Sequence, residues 1–204
     1  MRDGLFLSLD GIDGTGKSTQ CRLLAEWLRE RGRDVVTCID PGGTAVGQEL
    51  RQILLASRHA LTPECEALLF MASRAQLVHE VIRPALEAGK VVVSDRFLLA
   101  TVVYQGHAGL LDVEELWQVG RLATGGLEPD LTVVLDLPVE RARERYRSRP
   151  ADRMETKPIE FHRRVREGFL DEAARHPERI RVVDASPNVE VVQAEVRRLV
   201  TPLL

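Results

Sequence analysis

Apolar residues along this chain fall into short, dense runs separated by longer amphipathic stretches. The run LFLSLD at 5–10 is followed at once by glycine, which predicts a buried strand. From 17 to 31 the spacing changes: Leu23, Leu24, Trp27 and Leu28 recur at helical intervals, and Gly32 closes the segment. A second strand is predicted at 35–39, then a turn at Pro41-Gly42-Gly43 and a helix through Leu50, Ile53 and Leu54. Thr62-Pro63-Glu64 reads as a helix start, a capping hydroxyl followed by proline at the first helical position. The helix opened there is predicted to run to about Ala88 and to end at Gly89. A third strand is predicted at 90–94, helices at 98–106 and 112–124, and a fourth strand at 131–137. Pro138 opens another helix, 180–184 forms a fifth strand, and 189–200 a last amphipathic helix.

Strands that alternate with helices imply an α/β fold, a parallel sheet with helices on both faces. Ligands in such sheets bind beyond the carboxyl ends of the strands. The 204 residues suffice for one domain, with little left for a second, so 1–204 is expected to be a single unit. No apolar run approaches the roughly 18 residues of a membrane span, and the N-terminus turns polar too early for a signal peptide. A cytoplasmic protein is expected. Three cysteines, Cys21, Cys38 and Cys65, are too scattered for a disulfide framework or a metal knuckle. A net charge of −3 argues against a protein that coats nucleic acid.

The chemistry begins at Gly11-Ile12-Asp13-Gly14-Thr15-Gly16-Lys17-Ser18, a match to G-x-x-x-x-G-K-[ST]. Its glycines let backbone N–H groups turn inward around a polyphosphate, and the helix beyond aims its positive dipole end at the same place. Lys17 can reach the β- and γ-phosphates and the Ser18 hydroxyl can ligate Mg²⁺; Thr19 continues the loop into the helix. ATP-type binding follows, but GTPases, motors and kinases share this loop, so the acceptor has to be found elsewhere.

The third strand runs into Ser94-Asp95-Arg96-Phe97. Asp95 there could hold Mg²⁺ and Arg96 offers a fork for phosphate oxygens, although an ordinary surface ion pair has the same sequence. In RARERYRSRPADRME, residues Arg141, Arg145 and Arg149 fall on one helical stripe. Like charges so placed repel, which bound anions or Glu140 and Glu144 would relieve. Pro150 then suggests a charged loop, suited to a lid at about 148–158. Asp152 and Glu155 are expected on its surface, and Phe70 also fits a buried helix face.

Together DGIDGTGKST, PGGT at 41–44, LR at 50–51, LFMASRAQ at 69–76, DRF at 95–97, TVVYQG at 101–106 and the arginine-rich segment resemble bacterial thymidylate kinase, in order along nearly the whole chain. The resemblance implies a P-loop nucleotide kinase fold with a five-stranded parallel sheet and a short lid. It implies γ-phosphoryl transfer from ATP, with Mg²⁺, to dTMP, and a homodimer. Carried over by position, Arg51 and Arg96 would bind the dTMP phosphate, Phe70 would stack on thymine and Arg74 would bond its carbonyl edge. Thr101, Tyr104 and Gln105 would line the base and sugar, and Asp13 would lie near the 3′-hydroxyl. Arg145 is assigned to ATP. Gly14 or Thr15 stands where the eukaryotic type has a P-loop arginine, and Arg149 best matches the lid arginine that replaces it. Lys17, Arg96, Arg149 and Asp13 are therefore expected to serve the chemical step. The family usually has Arg-Glu before PGGT, where this chain has Ile39-Asp40, and Ala100 stands where serine is common.

An acceptor phosphate with a second pKa near 6 is already mostly anionic at pH 7, so no histidine or carboxylate need act as a base. The task is to neutralise two polyanions and the charge on the transferring group. Rival functions are a kinase for another nucleoside or monophosphate, and a P-loop switch without an acceptor.

Overall fold

Five parallel strands carry the site, in the order β2-β3-β1-β4-β5. The computed structural model describes residues 4–56, 59–146 and 152–204. The strands are β1 (Leu5–Asp10), β2 (Val35–Ile39), β3 (Val91–Asp95), β4 (Leu131–Asp136) and β5 (Ile180–Asp184). The helices are α1 (Lys17–Arg29), α2 (Ala45–Ala56), α3 (Pro63–Leu77), α4 (Arg83–Glu87), α5 (Leu98–Thr101), α6 (Val113–Thr124), α7 (Val139–Tyr146), α8 (Ile159–Arg175) and α9 (Val189–Val200). β1 lies between β3 and β4, with Leu7 opposite Val93 on one side and Leu131 on the other. The chain thus leaves its central strand first to one side and later to the other. A crevice opens at that reversal, beyond the carboxyl end of β1.

Alternation along the strands splits the core in two. Leu5, Leu7, Leu9, Val91 and Val93 belong to one apolar cluster, with α1, α8 and α9. Phe6 and Val92 face the other way, into a cluster with α3 and α4. Successive side chains of a strand point to opposite faces, so a strand covered on both sides is apolar throughout. All five predicted strands are present to within a residue.

Three helical expectations change. The helix predicted from 62 to 88 is interrupted by a widened π-type turn at Val78–Ile82. Pro84, just beyond, has no N–H to donate, and the Arg83 N–H reaches back to the Val78 carbonyl instead. The helix predicted at 98–106 is one α turn followed by a second π-type turn at Val102–His107. Finally, α8 falls where no element is predicted. Its buried Phe161, Val165, Phe169 and Ala173 recur every four residues among dense charge.

Candidate active site

The P-loop leaves β1 and enters α1 through residues that only glycine accommodates. Gly11 sits at φ 131°, and a Cβ there would lie 2.5 Å from the Leu135 carbonyl oxygen of β4. Gly16 has left-handed φ 96° and provides no side-chain cap, so the first N–H groups of α1 face the crevice. Thr15 Oγ1 and Lys17 Nζ both donate to the Ile12 carbonyl, at 2.9 and 2.8 Å, which braces the loop from within. Gly11 and Ile12 are scaffold: their carbonyls accept from Arg96, Thr15 and Lys17, and they do not line the cavity. Asp13, Gly14, Thr15, Gly16, Lys17, Ser18 and Thr19 do line it.

That cavity, of about 900 Å³, runs from the P-loop to the face of α3. At its donor end, Ser18 Oγ donates to Asp95 Oδ2 at 2.5 Å. A hydroxyl and a carboxylate beside a phosphate loop are hard oxygen donors of the kind Mg²⁺ takes, alongside water and phosphate. Among the described residues no group of three or more His, Cys, Asp or Glu side chains is placed to hold a metal ion. Arg145, exposed on α7, donates to the Gly14 carbonyl at 3.3 Å and to the Ala185 carbonyl at 3.1 Å. The segment after β5 closes this end: Ala185, Asn188 and Val189 line the cavity, and Gln20 of α1 donates to the Val189 carbonyl at 3.1 Å. No residue of that segment is among the candidates above. Its place beyond the carboxyl end of β5 is the signal that could have revealed it.

Arg96 joins the two ends. Its backbone takes a left-handed φ of 70°, sparsely populated for a residue with a side chain. The Arg96 N–H donates to the Leu9 carbonyl and Ser94 Oγ donates to the Arg96 carbonyl at 2.6 Å, holding the bend. The guanidinium then donates to Gly11 O at 3.0 Å, Asp13 Oδ1 at 2.6 Å and the Tyr104 hydroxyl at 3.3 Å. Tyr104 in turn donates to Asp13 Oδ2 at 3.1 Å. Burial alone would raise the Asp13 pKa, but Arg96, Lys17 and these hydrogen bonds hold it well below the usual carboxylate range. Burial, together with the Arg96 charge, lowers the Lys17 pKa. Behind the loop, fully buried Asp10 is pushed by desolvation to about 6, against the pull of Ser8, Arg96 and Lys17.

At the acceptor end, Arg74 is a buried cation, only 1% exposed. Its Nε donates to Asp40 Oδ2 at 2.6 Å, and its Nη2 to Thr101 Oγ1 at 2.8 Å. Asp40, a departure from the usual sequence, is therefore the counter-ion that orients Arg74. Burial raises its pKa and Arg74 opposes the rise. Arg51 of α2 donates to the Pro41 carbonyl at 2.8 Å and borders the same space. Phe70 is half-buried, belongs to neither apolar cluster and lines the cavity, so it is not core. Gln105 Nε2 donates to Glu66 Oε1 at 2.7 Å.

Arg149 lies outside the described residues. Glu155, expected on the surface, is 3% exposed, lines the cavity and accepts from the Asp152 N–H at 3.0 Å. Asp152 instead caps the turn, accepting from the N–H groups of Met154 and Glu155. Arg153 fastens this turn to α2 and α3, donating to the Leu54 carbonyl at 2.8 Å and pairing with Glu66. Asp40 and Glu66 are site residues that the sequence does not reveal, because their partners Arg74, Gln105 and Arg153 lie 34, 39 and 87 residues away.

Residues 9–196 match the family model described as thymidylate kinase. The thymidylate kinase of Symbiobacterium thermophilum is 49% identical to this chain, covering 98% of this chain and 94% of the relative. That of Clavibacter sepedonicus is also 49% identical, over 95% and 93%. The crystal structure of thymidylate kinase from Ehrlichia chaffeensis superposes with a TM-score of 0.81 at 31% identity, covering 97% of this chain and 98% of that one.

Proposed function

This chain belongs to the thymidylate kinase family and phosphorylates dTMP with ATP; we infer that Mg²⁺ assists, and that the two ends of the cavity divide the work as follows. The observation that carries the reading is one continuous cavity with a phosphate loop at one end and a buried, pre-oriented arginine at the other. ATP places its phosphates on the P-loop N–H groups and Lys17, with Arg145 and the segment after β5 on the nucleoside side. Ser18 and Asp95 hold Mg²⁺, which when bound neutralises charge on the transferring phosphoryl group. At the other end Phe70 stacks on the base, Arg74 donates to its carbonyl edge, and Thr101, Tyr104 and Gln105 complete the pocket.

Arg51 and Arg96 receive the dTMP phosphate. Arg96 already rests against Asp13 and the P-loop, so it brings the acceptor phosphate towards the donor loop without a large rearrangement. Proximity and charge neutralisation then supply the catalysis, since the acceptor oxygen needs no base. The segment 148–158 serves as the lid, with Arg149 its phosphoryl-stabilising arginine.

A homodimer fits the surface: Leu68 of α3 and Leu122 of α6 are 58% and 82% exposed. A cytoplasmic location fits an enzyme using ATP and dTMP. Incubation with ATP, Mg²⁺ and dTMP should yield equal ADP and dTDP by mass spectrometry, and EDTA should stop it. ATP hydrolysis that ignores dTMP would contradict the reading.

A further inference from the structure

Gln105 is 2% exposed and lines the acceptor end of the cavity. An amide can present either its oxygen or its nitrogen to a ligand, and the two choices recognise opposite partners. Here the choice is made by Glu66 on α3. The Gln105 Nε2 donates to Glu66 Oε1 at 2.7 Å, while Gln105 Oε1 accepts nothing from the described residues. A carboxylate can only accept, so the amide nitrogen has to face Glu66 and the oxygen is left for the ligand. The other carboxylate oxygen, Oε2, is paired with Arg153, which is itself anchored to the Leu54 carbonyl. Both carboxylate oxygens of Glu66 are thus taken by donors, one by Gln105 and one by Arg153.

We propose that Glu66, held by Arg153, is the positioning residue that makes the pocket selective for a base with an imide N–H over one with a bare ring nitrogen. This rests on the reading of the cavity's α3 end as the base site. Thymine and uracil carry N3–H, which can donate to Gln105 Oε1. Cytosine has a lone pair at N3, so two acceptors would meet in a buried place, and neither could turn to water. Arg74 disfavours the cytosine amine as well, but it does so independently of Glu66. A change at Glu66 therefore alters the Gln105 orientation without touching Arg74, and the Gln105→Ala background separates that effect from the loss of the Arg153 pair.

The test is kcat/KM for dTMP and dCMP in the wild type and in Glu66→Gln. A glutamine at 66 can donate as well as accept, so it frees the Gln105 amide to turn. The preference for dTMP over dCMP should fall roughly tenfold or more, through a higher KM for dTMP, with the KM for ATP within twofold of wild type. In a Gln105→Ala background the same change at 66 should alter selectivity little, because the two act as one unit. Should Glu66→Gln fail to fold, Glu66→Met/Arg153→Met removes the whole pair and replaces it with apolar bulk, a change buried ion pairs often tolerate. The same loss of selectivity is expected there. If both acceptors decline equally, Glu66 is merely structural and the proposal is overturned while dTMP kinase activity stands. If wild-type enzyme does not use dTMP, the base-site reading and this proposal fall together.

Discussion

The two ends of the cavity are built on different principles. The donor end is backbone: glycines with positive φ, the N-terminal N–H groups of α1, and carbonyls that brace Lys17 and Arg96. The acceptor end is side chains drawn from α2, α3, α5 and the π-type turn at Val102–His107, and each polar group there is held by another. Backbone donors recognise any polyphosphate. Paired side chains can tell one base from another, but only while every partner stays in place. A general nucleotide grip and a specific acceptor pocket thus meet at Arg96, whose strained backbone and paired guanidinium belong to both.

The sharpest way to break this comparison is to remove one member of a buried pair. Arg74→Met leaves Asp40 uncompensated and should cost about 3–5 kcal/mol in urea unfolding, whereas Asp40→Leu/Arg74→Met should recover most of that stability without restoring dTMP binding. Unchanged stability in the single variant would mean that the pair does not order the acceptor end. At the donor end Lys17→Ala should still fold, since Thr15 continues to brace the Ile12 carbonyl, and should lose about 10²-fold or more in kcat because the charge aimed at the transferring phosphoryl group is gone.

Asp10 sharpens the comparison through pH. Its carboxyl rises from 3.8 to about 6 on folding, so between those values the folded protein holds a proton that the unfolded chain releases. Stability from this group is therefore present at low pH, falls as pH rises through that window, and stays lost above it. Asp10→Asn should stabilise the protein by about 2–3 kcal/mol at pH 8, with the gain vanishing below about pH 4. Thermal melts across that range would check it, and a gain independent of pH would contradict the assignment. The smallest effect is expected at Arg51, half-buried and donating to the Pro41 carbonyl. Arg51→Ala should raise the KM for dTMP about tenfold with little change in kcat or in the KM for ATP. Steady-state kinetics with each substrate varied would show whether the loss stays at the acceptor end.

The same division explains what could be read without the structure. Strands, caps and the P-loop rest on residues adjacent in sequence, so LFLSLD, Thr62-Pro63 and Gly11 to Ser18 reveal themselves directly. The acceptor roles proposed for Arg51, Phe70, Arg74 and Gln105 come only from the resemblance, since no local rule says that a helix arginine faces a buried aspartate 34 residues away. The loss of charge in this stretch is at Ile39; Asp40 keeps the carboxylate, and its role is visible only with Arg74 beside it. The two π-type turns are hidden for a related reason: each rests on a backbone bond five residues back, such as Arg83 N–H to the Val78 carbonyl, which no single residue announces. Helix α8 was obscured by its charge, although Phe161, Val165, Phe169 and Ala173 mark its buried face.

The account stands most directly on acceptor choice. ADP release with ATP and Mg²⁺ should be measured across dTMP, dUMP, dCMP, CMP, AMP, GMP and thymidine. A paired pocket built around Arg74, Phe70 and Gln105 predicts that dTMP gives the highest kcat/KM, with dUMP next and thymidine, which lacks the phosphate for Arg51 and Arg96, nearly inert. Turnover of thymidine or a purine monophosphate above that of dTMP would contradict it.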